Sequence, residues 1–215
     1  MTTILRDWSY RYQWLYDTVS WFATLSVGGE QQFRQLPLAG LTIRPETQIL
    51  DLCCGAGHTT RLLLQYSQQV TGLDASPKAL DRARQQAPTA TYIKAFAEQM
   101  PFADHTFDLV HSSAAMHEMA PGQLQQIFKE VYRVLKPGGI FAMVDIHRAN
   151  NPWMRAGLMV FITIFETETA WQLLATDLPQ QLAKVGFQPV QQWLYAGNSV
   201  QVIQAVKPPF SSAGT

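Results

Sequence analysis

Apolar residues along this chain alternate between two periods. Gln48 to Cys53, Gln69 to Asp74, Ala90 to Ala95, Phe107 to Ser112 and Gly139 to Ile146 are short apolar runs of strand length. Between them the spacing changes to that of helices. Thr59-Thr60-Arg61-Leu62-Leu63-Leu64 opens one, and Ser76-Pro77 supplies an N-cap and a first-turn proline for another. Leu124, Ile127, Phe128, Val131, Val134 and Leu135 form a helical stripe that Pro137-Gly138-Gly139 stops. Ala170 to Val185 predicts one more helix, and the runs Phe187 to Tyr195 and Ser199 to Val206 are close enough to pair as an antiparallel hairpin. Such alternation predicts an α/β fold built on a parallel, doubly wound sheet. Ahead of it, residues from about 7 to 36 carry Trp8, Tyr12, Leu15, Tyr16, Val19 and Phe22 at mostly three- and four-residue spacing, which predicts an amphipathic N-terminal helical cap.

Composition narrows the class. The 215 residues are 47% hydrophobic and 15% charged, enough for one well-buried domain. Sixteen basic side chains balance sixteen acidic ones, so no broad positive field is present to hold a nucleic acid backbone, and a nucleic acid partner is not expected. The two cysteines, Cys53 and Cys54, are adjacent, which suits neither a disulfide framework nor a spaced metal site. Cytoplasmic residence follows, since Arg6, Asp7 and Arg11 also interrupt any apolar signal core.

Candidate chemistry sits where the first strand ends. Asp51-Leu52-Cys53-Cys54-Gly55-Ala56-Gly57 runs from strand through a tight turn into a helix. Gly55 and Gly57 let a ligand approach the backbone, and the helix start near His58 aims unpaired N–H groups at it. Asp74, at the end of the next strand, can accept hydrogen bonds from both hydroxyls of a ribose. A dinucleotide fingerprint would place glycine three residues after Gly57, and Thr60 stands there, which argues against NAD.

The ordered set Leu50-Asp51-Leu52-Cys53-Cys54-Gly55, Gly72-Leu73-Asp74, Ala97-Glu98-Gln99-Met100-Pro101-Phe102, Phe107-Asp108-Leu109-Val110 and Tyr132-Arg133-Val134-Leu135-Lys136-Pro137-Gly138-Gly139 resembles the class I S-adenosylmethionine-dependent methyltransferases. Cys53-Cys54, with Tyr16-Asp17 and Leu25-Ser26, is most similar to the menaquinone and ubiquinone C-methyltransferases. The resemblance implies a Rossmann-like, seven-stranded, mostly parallel sheet whose last strand is antiparallel. It implies S-adenosylmethionine as cofactor, S-adenosylhomocysteine as product and a place in quinone biosynthesis. Asp51 would lie beneath the methionine amino group, Cys53, Gly55 and Gly57 along the methionine portion, and Asp74 and Ala75 at the ribose and adenine. Ala97 and Glu98 would flank the adenine, and Thr60 and Ser113 would complete the cofactor contacts. The chain would divide into a cap (1–40), a cofactor-binding half (41–148), a lid segment with the hairpin (149–207) and a loose tail (208–215).

Three residues depart from that pattern. Cys53 replaces the first glycine of the motif, so its φ is expected to be negative. Phe96 replaces an Asp or Asn that accepts the adenine amino group, which leaves recognition to the backbone at Ala97 or to the ring itself. Met116-His117-Glu118 replaces the Leu-Arg-Asn of the quinone enzymes, at the place where acceptor chemistry belongs. Reacting groups in such sheets lie at the carboxyl ends of strands, where His117 and Glu118 follow strand four and Asp145 and His147 close strand five. His117 is the first candidate for a general base, with Glu118 beside it, against a purely structural loop role for the imidazole. His58, His105 and His111 are expected to be structural or solvated. Tyr12 and Tyr16 are candidates to shield a cation, against a role in core packing.

Trp153 to Phe165 is nearly continuous in apolar character yet short of the ~20 residues that cross a bilayer. It is expected to overhang the site mouth, where it lines a channel for a hydrophobic small-molecule acceptor, rests on a membrane surface peripherally, or packs as a buried lid. The favoured activity is C-methylation of an aromatic or quinol-type acceptor. O- or N-methylation of another metabolite, and a noncatalytic cofactor-binding protein on the same fold, stay open, as does the oligomeric state.

Overall fold

All four residues of strand β1 (Ile49–Leu52) are buried, as expected of a strand flanked by neighbours and covered on both faces. The computed structural model describes residues 27–152, 155, 156, 159, 162, 163 and 168–209. Strands β2 (Val70–Asp74), β3 (Thr91–Lys94), β4 (Phe107–Ser113), β5 (Leu135–Ile146), β6 (Val190–Tyr195) and β7 (Val200–Val206) complete one seven-stranded sheet in the order β3-β2-β1-β4-β5-β7-β6. Pairing from β3 to β5 is parallel, and β7 runs antiparallel to both β5 and β6. This is the doubly wound sheet with a terminal hairpin expected from the sequence.

Alternation within strands sorts side chains to the two faces. Leu50, Leu52 and Val110 join the larger core with Phe128, Phe141 and Phe187, whereas Ile49, Val70 and Leu109 meet Leu63 and Leu38 on the opposite side. Asp51 therefore shares the face of Ile49, toward the helix that follows β1. The helices are α1 (Glu30–Gln35), α2 (His58–Leu63), α3 (Pro77–Gln86), α4 (Pro121–Val134), α5 (Glu168–Leu174) and α6 (Leu178–Val185), with 3-10 turns at Leu36–Leu38 and Met116–Glu118. The stripe read in α4 is buried at Leu124, Ile127, Phe128, Val131 and Val134. Each such side chain contributes about 1.5–3 kcal/mol of apolar burial. Phe187 anchors the larger core edge-on against Tyr132, ring centroids 5.1 Å apart.

Two boundaries differ from the sequence-based expectation. The single helix from Ala170 to Val185 is two, α5 and α6, because the Asp177 side chain accepts a hydrogen bond from Gln180 N at 2.9 Å and starts a new helix with proline in its first turn. The fifth strand begins at Leu135, directly after α4, and its pairing with β4 shifts register before Ile140. Gly138, at φ 80°, lies within that irregular stretch. Most of the expected N-terminal cap, including Tyr12 and Tyr16, lies outside the described residues; α1 is its described part. Among the described residues, no helix is long and apolar enough to cross a membrane.

Candidate active site

The turn after β1 is left-handed at Cys53 (φ 58°), Gly55 (φ 53°) and Gly57 (φ 84°). The expected negative φ at Cys53 is therefore corrected. The chain reverses immediately after the strand while Cys54 N still donates to Leu73 O of β2 at 3.0 Å, and Cys53 absorbs the bend. A non-glycine residue there costs about 1–2 kcal/mol. Beneath the turn, the Cys54 sulfur packs so closely on β2 that a Cβ at Gly72 would lie 2.9 Å from it. Gly57 is equally constrained: an added Cβ would meet Ala83 Cα of α3 at 2.8 Å. Gly55 differs, since nothing lies within 4 Å of where its Cβ would be. The turn is thus packed below and open above.

Carboxylates gather around that opening. One Asp74 oxygen accepts from Gly55 N at 2.9 Å and the other from Ser76 N at 2.8 Å, so the end of β2 is tied to the turn after β1. Asp51 is buried, and Thr60 Oγ1 donates to its Oδ2 at 2.6 Å. Burial pushes the Asp51 carboxyl up to about 7, and the Asp74 charge adds to this, while Thr60 and Arg34 of α1 oppose it. Burial also pushes the Cys53 thiol up, reinforced by the charges of Asp74, Glu118, Asp51 and Glu98. Four acidic side chains from four elements thus act on one point, and their field favours a cationic ligand over the turn. Glu98 accepts from Gln123 Nε2 at 2.9 Å, Ala97 is buried, Ala75 is exposed, and the Phe96 ring is 63% exposed at the rim beyond β3.

The second half of the site follows β4. Ser113 ends the strand and Ala114, at φ 50° with its N–H donating to Val144 O at 2.9 Å, turns the chain over the sheet's carboxyl edge. The 3-10 turn that follows buries His117 and leaves Glu118 exposed. Asp145 of β5, fully buried, receives Met116 N at 2.8 Å and His117 N at 3.3 Å on Oδ2. Its Oδ1 receives Ile146 N at 2.7 Å and lies 2.6 Å from His117 Nδ1. Sequence reasoning placed Asp145 at the end of strand five without giving it a part; an acid inside the apolar run Ile140 to Ile146 was the available signal.

The other histidines lie elsewhere. His147 Nδ1 donates to Asn198 O at 2.9 Å in the β6–β7 loop, and the buried His111 uses Nε2 to donate to Arg34 O at 3.2 Å. His105 Nδ1 lies 3.1 Å from Leu135 O and 3.0 Å from Lys207 Nζ, at the opposite end of β4. His58 opens α2. Of the apolar stretch 153–165, Ile162 is buried and Met159 is 40% exposed; Trp153, Met154, Leu158, Val160, Phe161, Ile164 and Phe165 lie outside the described residues. Among the described residues, no cluster of His, Cys, Asp and Glu could hold a metal ion.

The residues from β1 into the first part of β5 match a family described as methyltransferase domain, over 49–139. An uncharacterized methyltransferase of Synechocystis sp. is 57% identical over 205 residues, covering 95% of this chain and 97% of that one. A 2-phytyl-1,4-naphtoquinone methyltransferase of Nostoc sp. is 29% identical over 140 residues, 61% of this chain and 60% of the Nostoc protein. The fold matches that of Haemonchus contortus phosphoethanolamine N-methyltransferase 2 solved with S-adenosyl-L-methionine, at TM-score 0.67 and 17% identity over 96% of this chain and 60% of that one. A glycine turn open to one side, ringed by carboxylates that favour a cation, suits a sulfonium cofactor, and with 57% identity to a methyltransferase over nearly the whole of both chains it places this chain among the S-adenosylmethionine-dependent methyltransferases.

Proposed function

We propose that the chain methylates a hydrophobic aromatic or quinol-type small molecule on a ring carbon. The observation that carries the cofactor half is the junction of β1 and β2, where Gly55 N donates to Asp74 at 2.9 Å beneath an open surface. In this proposal Gly55, Gly57 and Cys53 carry the methionine portion, Asp51 faces its ammonium group, and Thr60 holds the Asp51 carboxylate in place. Asp74 accepts from the ribose hydroxyls with the lone pairs its two backbone contacts leave. Ala75, Ala97 and Glu98 border the adenine, with the exposed Phe96 ring beside them, and Ser113 closes the floor at the end of β4. When bound, the cofactor supplies an electrophilic methyl group on a positively charged sulfur.

The protein's own contribution is placement, because an in-line displacement gains most from aligned partners about 3 Å apart. His117, on the same carboxyl rim as Asp51 and Asp74, acts as the base, and Glu118 stands exposed at the mouth. An apolar acceptor is supported by the 153–165 segment and by the Nostoc relative, whose name specifies a phytylated naphthoquinone. Work from the cytoplasm, with that segment resting on a membrane surface, fits such an acceptor.

Incubating the protein with methyl-labelled S-adenosylmethionine and separated lipid and polar cell extracts tests the proposal. Label is expected in the lipid fraction, as a methyl group on a ring carbon by ¹³C NMR of the product. Label confined to the polar fraction, or on oxygen or nitrogen, overturns the acceptor assignment. Thermal shifts with S-adenosylmethionine, S-adenosylhomocysteine and NAD test the cofactor assignment separately, because a ligand stabilises the state it binds.

A further inference from the structure

We infer, given the cofactor assignment above, that Arg34 of α1 takes the carboxylate of the cofactor's methionine end while Asp51 takes its ammonium, so that α1 forms one wall of the cofactor site.

An α-amino acid carries its ammonium and its carboxylate on one carbon, so a site that holds both needs an acid and a cation side by side. The turn after β1 supplies acids in excess. Asp74, Glu118, Asp51 and Glu98 all act on Cys53, a field that attracts the ammonium and repels the carboxylate. A nearby cation has to offset that repulsion.

Backbone and packing contacts put Arg34 beside Asp51. The Arg34 carbonyl oxygen accepts from His111 Nε2 at 3.2 Å. His111 is in turn the register partner of Asp51 across β1 and β4, strands about 4.8 Å apart. Helix α1 also packs on α2, the helix that leaves the cofactor turn, and its Phe33 is buried with Val144, Val200 and Val202. The Arg34 charge is felt at Asp51, where it opposes the effect of burial on the carboxyl.

The guanidinium is already oriented. Its Nη2 pairs with Glu30 Oε1 at 2.5 Å, and Nη1 donates to Glu30 O at 3.4 Å. A guanidinium has five N–H donors in one plane, so a fork held by Glu30 keeps donors for a second carboxylate. The Arg34 side chain is 16% exposed, so its charge is screened less than that of a solvated arginine. Glu30 thus fixes the fork, His111 fixes the backbone that carries it, and the two ends of the methionine zwitterion meet opposite charges from α1 and β1.

Calorimetry on the full chain with two ligands tests this: S-adenosylhomocysteine, and its decarboxylated analogue S-adenosyl-3-thiopropylamine, which keeps the ammonium, the sulfur and the adenosine. Wild type is expected to bind S-adenosylhomocysteine about 10-fold or more tighter than the analogue. Arg34→Gln should weaken S-adenosylhomocysteine about 10- to 100-fold, while the analogue stays within about threefold or binds tighter, since it has no carboxylate to lose a partner. Arg34→Lys keeps the charge and loses the fork, so S-adenosylhomocysteine should weaken about threefold or more with the analogue again unaffected; this variant carries the test if Arg34→Gln folds poorly. If Arg34 serves only to hold α1 together through Glu30, the two ligands weaken in parallel. That result, wild-type affinity for S-adenosylhomocysteine in folded Arg34→Gln, or a wild type that does not distinguish the two ligands overturns the inference. Failure of wild type to bind S-adenosylhomocysteine at all would instead remove the cofactor assignment beneath it.

Discussion

Asp51 and His111 are register partners across the parallel pairing of β1 and β4, and both are fully buried. Burial pushes their proton affinities in opposite directions, Asp51 up to about 7 and His111 down to about 4. Burial thereby opposes the charged form of each; near pH 7 His111 is neutral while Asp51 stands at its midpoint, where a cation over the turn can draw it to the carboxylate.

Their contributions to stability have opposite slopes with pH. The raised Asp51 value means its contribution is full below about 4 and is lost as pH rises through about 7. The lowered His111 value means its contribution is present above about 6.5 and is lost as pH falls through about 4. From the size of the shifts, each contribution is on the order of 3 kcal/mol. In urea melts at pH 4.5 and 7, wild type should therefore change little from this pair. Asp51→Asn should gain stability toward pH 7 and His111→Asn toward pH 4.5. Parallel profiles for the two variants would contradict the assignment.

Gly55 and Gly57 should respond differently to alanine. At Gly57 the new Cβ would sit 2.8 Å from Ala83 Cα at φ 84°, combining overlap with strain, for a loss of about 3 kcal/mol or more. At Gly55 the space is empty and the loss is the strain alone, about 1–2 kcal/mol. The Gly55 methyl would instead project over the turn, and affinity for S-adenosylhomocysteine by calorimetry should fall about tenfold or more for this variant. Equal melting temperatures for the two variants would count against the packing argument.

Cys53→Gly should stabilise the protein, because the native φ of 58° penalises any Cβ. The expected gain is at most about 1 kcal/mol, since glycine also loses more backbone entropy on folding. Thermal melts read it directly, and a loss of stability would mean that the thiol's contacts outweigh the strain.

These positions also show what was legible in the chain. Ser76-Pro77 announced a helix start, and the Ser76 hydroxyl indeed accepts from Ala79 N at 3.3 Å. The terminal pair Phe187 to Tyr195 and Ser199 to Val206 gave β6 and β7, offset only at their starts. Glycines at turn positions are visible because no other residue adopts positive φ so readily, but nothing in local sequence marks Cys53 as left-handed. The contact between His117 and Asp145 spans 28 residues and exists because Ala114 bends the chain across β5, a tertiary fact with no local signature. The break at Asp177 was readable from Pro179 and was obscured by the apolar spacing continuing through it.

Asp74→Ala tests whether the β1–β2 junction serves the cofactor or only itself. The carboxylate accepts from Gly55 N and Ser76 N, so its removal leaves two backbone donors to water and should cost about 1–2 kcal/mol of stability. If Asp74 also accepts from ribose hydroxyls, affinity for S-adenosylhomocysteine should fall about 10- to 100-fold beyond that. Asp74→Asn separates the two roles, because its carbonyl oxygen can keep one backbone donor while its NH₂ meets the other with a donor of its own. Asn should therefore recover part of the melting temperature and little of the affinity. Wild-type affinity in a folded Asp74→Ala protein would confine this carboxylate to holding Gly55 in place, and the ribose would have to be held by another group on the rim.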